Sequence, residues 1–485
     1  MSLELMEPIG TITMYYPFLQ HGIVHTLDTI MLEATDYHDF VVRLCQKVCT
    51  EDVPDTLTYL AAVHALNLAS SEMKEKLVLR HGDNALVRAL VTDDYRSRIA
   101  AIEEAMSRDL DNWIELELYY LNMINPDFRD HLTSLSSFDK ARKLLEIDAR
   151  LKCFEPLILT IQGTISRIEG NIQGAIRAFE EGLKIATEYD DRVRVTDVLL
   201  RLGNLTKDIN AKESWDIFDR AHRSAKSIGY SYGIATALLE MGKVSYIRGE
   251  YDLGVQSLLE ADNLFCSASL PKSPSVSINL TRIYCAIGNG EEALTCVETT
   301  ISRTQSAFTW NYLQKAESLI LLGKIREASE QLDLGKKEAM KEGREWELAK
   351  YYHVNGLYEN ALGNPLNALL SLEQSIEIID RMNLGILKGA CLLALARTEM
   401  CIQGTGCDSD TSGPWMSRLE EFARENDLPG MRMEHAMLKA EFQEGQGRIE
   451  AARKTLVDAL SIYDSPSVKS LRNKIQKRIS DLDLT

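Results

Sequence analysis

Apolar residues in the first third of the chain return at every third or fourth position. They do so over residues 22–34, 39–48, 57–68, 96–106 and 113–122. That is the period of a helix burying one face. Pro17, Pro54 and Pro126, with the Gly82-Asp83-Asn84 turn, punctuate these runs. The pattern predicts a helical domain of about seven helices over residues 1–150, of no nameable fold.

From about residue 151 the pattern changes character, because a fixed frame begins to repeat. Gly163, Gly170, Ile172, Ala175, Phe179 and Gly182 match Gly242, Gly249, Tyr251, Gly254, Leu258 and Ala261 offset for offset. The frame recurs with Tyr284, Gly288, Ala293 and Val297, and with Ala316, Gly323, Ile325, Ala328, Leu332 and Gly335. It returns with Gly356, Gly363, Ala368 and Leu372, and with Ala440, Gly447, Ile449, Ala452, Leu456 and Ala459. A weaker copy holds Gly203, Ser214, Phe218 and Ala221, and an irregular one turns near Gly404. About eight units result, with turns mostly about 39 to 43 residues apart.

Each position in the frame has a physical reason. The small residue of the first helix lets a second helix approach closely. The turn glycine ends the first helix in the left-handed conformation that only glycine adopts cheaply. A small residue in the second helix packs back, and the large residue four positions on fills the gap to the next unit. Pro365 falls where a helix start tolerates a missing N–H.

These spacings resemble the tetratricopeptide motif over residues 151–485. The repeat-end proline and most early first-helix aromatics of that family are absent, and the period exceeds its usual value of about 34. In period the chain is similar to the extended arrays of signal-transduction ATPase sensors and peptide-pheromone receptors. The resemblance implies an all-α fold: a right-handed superhelix of helix pairs, an α-solenoid, carrying a separate N-terminal helical domain. Residues 465–468 (Ser-Pro-Ser-Val) open a final basic helix with Lys474, Lys477 and Arg478, which reads as a solvated cap.

Charge narrows the partners. The formal net charge is −18, and the first 150 residues hold 14 Lys+Arg against 25 Asp+Glu. Nucleic acid would meet a repulsive field, so it is not an expected partner. Residues 1–10 lack the basic start and apolar stretch of a secretory signal. The best apolar run, from Cys391, is cut by Arg397 and Glu399, well short of the roughly 18 residues a membrane span needs. A cytoplasmic protein is expected, with no membrane partner.

Motifs for chemistry are sparse. Nine scattered cysteines form no C-x-x-C pair and read as small buried hydrophobes, among them Cys45, Cys49, Cys285 and Cys296. Gly242-Lys243 and Gly323-Lys324 lack the rest of a phosphate-cradling loop. His21, His25 and Asp28 share a helix face, yet no Glu follows the first His, and a solvated helix start is the plainer reading. Asp408 and Asp410 sit in a turn-rich loop without a calcium-loop pattern. Tyr15-Tyr16, Tyr119-Tyr120 and Tyr351-Tyr352 read as packing aromatics. No cofactor, metal or catalytic residue is expected, and no enzyme.

Binding is what the family resemblance implies. There the first helix of each unit lines the concave groove, at one and four positions after the small residue. In this chain those positions hold Thr164 and Arg167, Asn204 and Lys207, Lys243 and Tyr246, then Arg282 and Cys285. The candidate groove is therefore Arg167, Asn204, Lys207, Lys243, Tyr246 and Arg282, followed by Glu317, Leu357 and Asn360. Its cations suit an acidic peptide or a chain-terminal carboxylate; the competing reading is a solvated face salt-bridged to neighbours such as Glu250 or Asp208. The expected function is a non-enzymatic scaffold or sensor that binds protein or peptide. The alternative is a ligand-responsive receptor whose N-terminal domain answers to groove occupancy.

Overall fold

The computed structural model describes residues 19–68, 71–84, 87–88, 100, 104, 112–116, 131–207, 209–268, 274–304, 309–403, 413–462 and 464–483. Tyr15-Tyr16, Tyr119-Tyr120, Asp208, Asp408, Asp410, and most of 96–106 and 113–122 lie outside them. Every regular element among the described residues is a helix.

Among the described residues, five α-helices precede the repeats: α1 (His21–Glu33), α2 (Tyr37–Thr50), α3 (Asp55–Leu68), α4 (Ser71–His81) and α5 (His131–Ile147). The α2 helix shows why they form. Tyr37, Phe40, Val41, Leu44, Cys45 and Val48 are buried at three- and four-residue intervals, against α3 and α4. Asp36 caps the helix by accepting a 2.8 Å hydrogen bond from the Asp39 N–H.

Paired helices begin at Glu155. The first pair is α6 (Glu155–Ile168) with α7 (Ile172–Glu188), followed by α8 (Arg192–Thr206) with α9 (Ala211–Ser227). Next come α10 (Ser231–Arg248) with α11 (Tyr251–Ser267), and α12 (Pro274–Ile287) with α13 (Gly290–Thr304). Then follow α14 (Thr309–Leu321) with α15 (Ile325–Glu342), and α16 (Glu345–Ala361) with α17 (Pro365–Met382). The last pairs are α18 (Gly385–Gln403) with α19 (Pro414–Glu425) and α20 (Pro429–Gly445) with α21 (Ile449–Ile462), before the final helix α22 (Lys469–Leu482).

The repeat frame works as the residues dictate. At Gly170, φ is +79°, and the Asn171 N–H reaches back 2.8 Å to the Ser166 carbonyl, closing the helix end. The same five-residue return recurs at Asn289 to Tyr284 and Asn364 to Glu359. A Cβ at Gly163 would stand 2.5 Å from the Phe179 ring, and one at Gly356 would stand 2.5 Å from Leu372. These two pairs therefore meet at a distance only glycine permits. Ala175, Ala293, Ala328, Ala368 and Ala452 are fully buried at the facing position. The fold is that of the tetratricopeptide-repeat proteins, an all-α helical-repeat fold of the α-solenoid class.

The chain forms two compact units, Met1–Leu205 with Asp216–Leu238 and Ala261–Lys272, and Thr206–Trp215 with Leu239–Glu260 and Ser273–Thr485. In the first, the Tyr37 hydroxyl meets His64 Nδ1 at 2.7 Å, and the Tyr37 ring stands edge-on to Tyr230. In the second, the last helices meet the turns and helix starts around Gly249, Asp252 and Ile287. Gly249, with φ +73°, lies against Gly430 so closely that a Cβ on Gly430 would fall 2.2 Å from the Gly249 carbonyl oxygen. Asp252 accepts from the Ser470 N–H (2.8 Å) and hydroxyl (2.6 Å), and Lys474 donates to the Ile287 carbonyl at 2.9 Å. The start of α20 and the helix α22 thereby close a seam on the turns after α10 and α12.

Candidate ligand-binding site

Three of the four expected groove cations are built into the second unit's interior surface. Lys207 and Lys243 converge on one carboxylate: Glu240 accepts from Lys207 Nζ at 3.3 Å and from Lys243 Nζ at 2.5 Å. Burial pushes the Glu240 carboxyl up, but the two ammoniums outweigh it and hold the group below its usual range. Burial lowers Lys243, with Glu240 opposing. Glu250, one of the carboxylates expected to pair with these cations, meets Arg248 instead, at 2.8 Å. Arg167 and Asn204 belong to the first unit and are exposed, and neither lines the cavity described next.

Arg282 is buried, with its guanidinium 5.7 Å from the Tyr246 ring centre and 5.2 Å from that of Trp310. Nη1 donates to Asn279 Oδ1, while Nε has no hydrogen-bond partner among the described residues. Burial lowers its pKa, and Tyr246 and Glu317 resist that. One unit further, Lys350 donates to Glu317 at 2.5 Å. Burial pushes Glu317 up, yet Lys350, His353 and Arg282 together bring it below the usual carboxylate range. His353 is buried with Nδ1 unpartnered, and burial, aided by Lys350, drops it to about 4, so it is neutral at pH 7.

Of these, Tyr246, Arg282, Glu317 and His353 line a cavity of about 300 Å³. Its walls come from six successive first helices. Tyr246 is on α10, Arg282 and Cys285 on α12, and Glu317, Ile320 and Leu321 on α14. His353, Leu357 and Asn360 stand on α16, Leu393, Ala394 and Arg397 on α18, and Met431 and Glu434 on α20. Tyr251, the first residue of α11, completes the wall beside the seam. The volume is at the lower end for ligand pockets, and the mixture of an apolar body with a few convergent polar groups is their usual make-up. Of the expected groove residues, Tyr246 and Arg282 line it, as do Cys285, Glu317, Leu357 and Asn360. His353, Arg397 and Glu434 were not expected there. His353 precedes the small Gly356 by three, which places it on the same face as Leu357.

The cavity's thiol is poorly suited to nucleophilic work: burial raises Cys285, whose sulfur lies 3.8 Å from the Ser318 hydroxyl. Among the described residues no group of three His, Cys, Asp or Glu could hold a metal ion, and His21, His25 and Asp28 lie along α1 with both histidines exposed. Among the described residues no helix is long and apolar enough to cross a membrane.

The helix pairs, the glycine-ended first helices and a cavity walled by successive first helices make up an all-α helical-repeat fold with the spacing of the tetratricopeptide motif. No family model matches the sequence, and no curated protein matches it. Among solved structures, the chain is similar to a Rap protein complexed with competence and sporulation factor, at 15% identity. That match covers 68% of this chain and 99% of the other, with a TM-score of 0.47. It is similar to a signal-transduction ATPase with a tetratricopeptide-repeat sensor from Pyrococcus horikoshii at 16% identity, over 70% of this chain and 55% of that one, with a TM-score of 0.40. Yeast Tom70 matches at 12% identity over 92% of each chain, with a TM-score of 0.34.

Proposed function

We propose that this chain is a non-enzymatic, cytoplasmic binding scaffold or sensor that takes a peptide segment into the cavity of its second unit. The observation that carries the reading is Arg282. A buried guanidinium with an unpartnered Nε and one hydrogen bond to Asn279 faces a cavity with an apolar wall. Stacking between Tyr246 and Trp310 holds its plane, so its donor edge is pre-organised for an oxygen ligand. A carboxylate, from an acidic side chain or a chain terminus, matches that fork and the cation's charge. Lys207 and Lys243 act in this reading by holding Glu240, and thereby α10, in place. The helices before the repeats share the first compact unit with the first helix pairs, so the boundary expected at residue 150 does not separate them.

A second reading, a ligand-responsive regulatory receptor, is favoured by the seam. Polar and glycine contacts, such as Asp252 with Ser470 and Gly249 with Gly430, are of the kind that can part and re-form around an incoming ligand.

Affinity capture of free peptides on immobilised full chain, followed by mass spectrometry, tests the main proposal. The intact protein should retain a peptide set that Arg282→Ala loses by about tenfold or more, a hydrogen-bonded charge being worth that much. Equal retention by the two proteins would overturn it.

A further inference from the structure

Opposite in sign to Arg282, the cavity holds a second charged group to which no described residue gives a hydrogen bond or ion pair. Glu434 lines the wall from α20, half-buried, with no hydrogen bond or ion pair among the described residues. Burial raises its carboxyl, Glu441 adds to that, and Lys474 and Arg397 oppose it through space without pairing. Beside it stand Met431 and the phenol of Tyr251, whose own pKa Glu434 helps to raise. The rings of Tyr251 and Tyr246 lie 6.2 Å apart, so an aromatic pair and a carboxylate share this end of the cavity.

A carboxylate drawn from water beside apolar side chains is costly until a proton, water or cation compensates it. A neutral or acidic ligand filling the space would strip away its remaining water and leave the charge with only the unpaired attraction of Lys474 and Arg397. A ligand ammonium or guanidinium would do the reverse, gaining both the carboxylate and the face of an aromatic ring. Resting on the reading of the cavity as a peptide site, we infer that its ligand class is a short peptide carrying a basic group beside an apolar side chain. The basic group pairs with Glu434 against Tyr251, and the apolar side chain packs on Met431 and Leu393. Selection against ligands without a cation follows from the unpaired carboxylate they would leave.

Two synthetic heptapeptide pools test this on the full chain. Both are randomised over Ala, Leu, Phe, Gly, Ser and Glu; one carries a single Lys at a random position, and the other carries norleucine there. The expected result is at least about tenfold enrichment of the lysine pool, falling to parity in Glu434→Gln and persisting in Glu441→Gln. Circular dichroism melts check that Glu434→Gln, which breaks no hydrogen bond, is folded. Equal retention of both pools by the intact protein would overturn the cation preference while leaving the peptide reading standing. Retention of neither pool would overturn both. Enrichment that survives Glu434→Gln would assign the preference to another residue and overturn the role of Glu434.

Discussion

Gly430 at the start of α20 rests on the backbone of Gly249 in the turn after α10, two residues 181 positions apart in a chain whose other glycines mostly serve neighbouring helices. The Cβ of any other residue at 430 would meet the Gly249 carbonyl oxygen at 2.2 Å, and its Cα at 2.6 Å. A carbonyl at a helix end cannot swing away as a side-chain tip can. Gly430→Val is therefore expected to lower stability by roughly 1–3 kcal/mol, as overpacking does. A thermal melt of the purified variant checks it, and an unchanged melt would mean the seam is not closed in solution.

The frame glycines make a sharper comparison within one helix pair. A Cβ at Gly163 would stand 2.5 Å from the Phe179 ring, whereas a Cβ at Gly182 would meet Leu159 Cβ at an ordinary 3.4 Å. Gly163→Leu should cost roughly 1–3 kcal/mol or more. Gly182→Ala should be neutral or stabilising, by up to about 1 kcal/mol, from helix propensity. Urea titrations of the two variants should separate clearly; coincident curves would refute the assigned register.

Glu240 is the keystone of the buried charges around α10. Removing it leaves Lys207 and Lys243 facing each other in a partly dry site, and breaking a buried pair costs about 3–5 kcal/mol. Removing Lys243 alone leaves Lys207 to hold Glu240. Urea midpoints should therefore fall further for Glu240→Gln than for Lys243→Met. The reverse order would show that the pairing does not persist in solution.

His353 gives the second unit a dependence on pH. Unfolded, it takes a proton near its ordinary 6.5; folded, it resists until about 4. Between those values the unfolded chain binds more protons, so its contribution is whole above pH 6.5 and declines as pH falls toward 4. The slope is at most about 1.36 kcal/mol per pH unit for one group. His353→Leu, which removes an unpartnered Nδ1, should melt with a shallower loss between pH 7 and 5 than the intact chain. Parallel losses in both proteins would refute this.

Much of the fold was legible because the frame is local. A turn glycine, an alanine five positions on and a bulky residue four beyond that state a helix pair within some twenty residues, and Gly170, Ala175 and Phe179 fulfil it. The site was less legible because its partners lie in the next unit. Lys207 meets Glu240 thirty-three residues on, Lys350 meets Glu317 at the same separation, and Cys285 lies against Ser318 at thirty-three again. Reading each first helix alone placed Lys207 on a charged face but did not show that Glu240, the i,i+3 partner of Lys243 on the next first helix, faced it. Glu434 escaped notice for a different reason: it stands in the last pair, and only the Gly249–Gly430 seam puts that pair beside Tyr251.

That one-unit stride between partners makes the order of the units as binding as their shape. The pairs share a common packing frame, so on packing alone they could be exchanged, duplicated or dropped. The charges forbid it. If the unit bearing Glu317 were removed, Lys350 would meet α12, where Arg282 already stands, and a buried cation would face another. Were one duplicated, Glu434 would be carried away from Tyr251 and the ring of contacts would no longer close. This array is keyed like a combination, and its length cannot drift by a unit without spoiling the cavity it encloses.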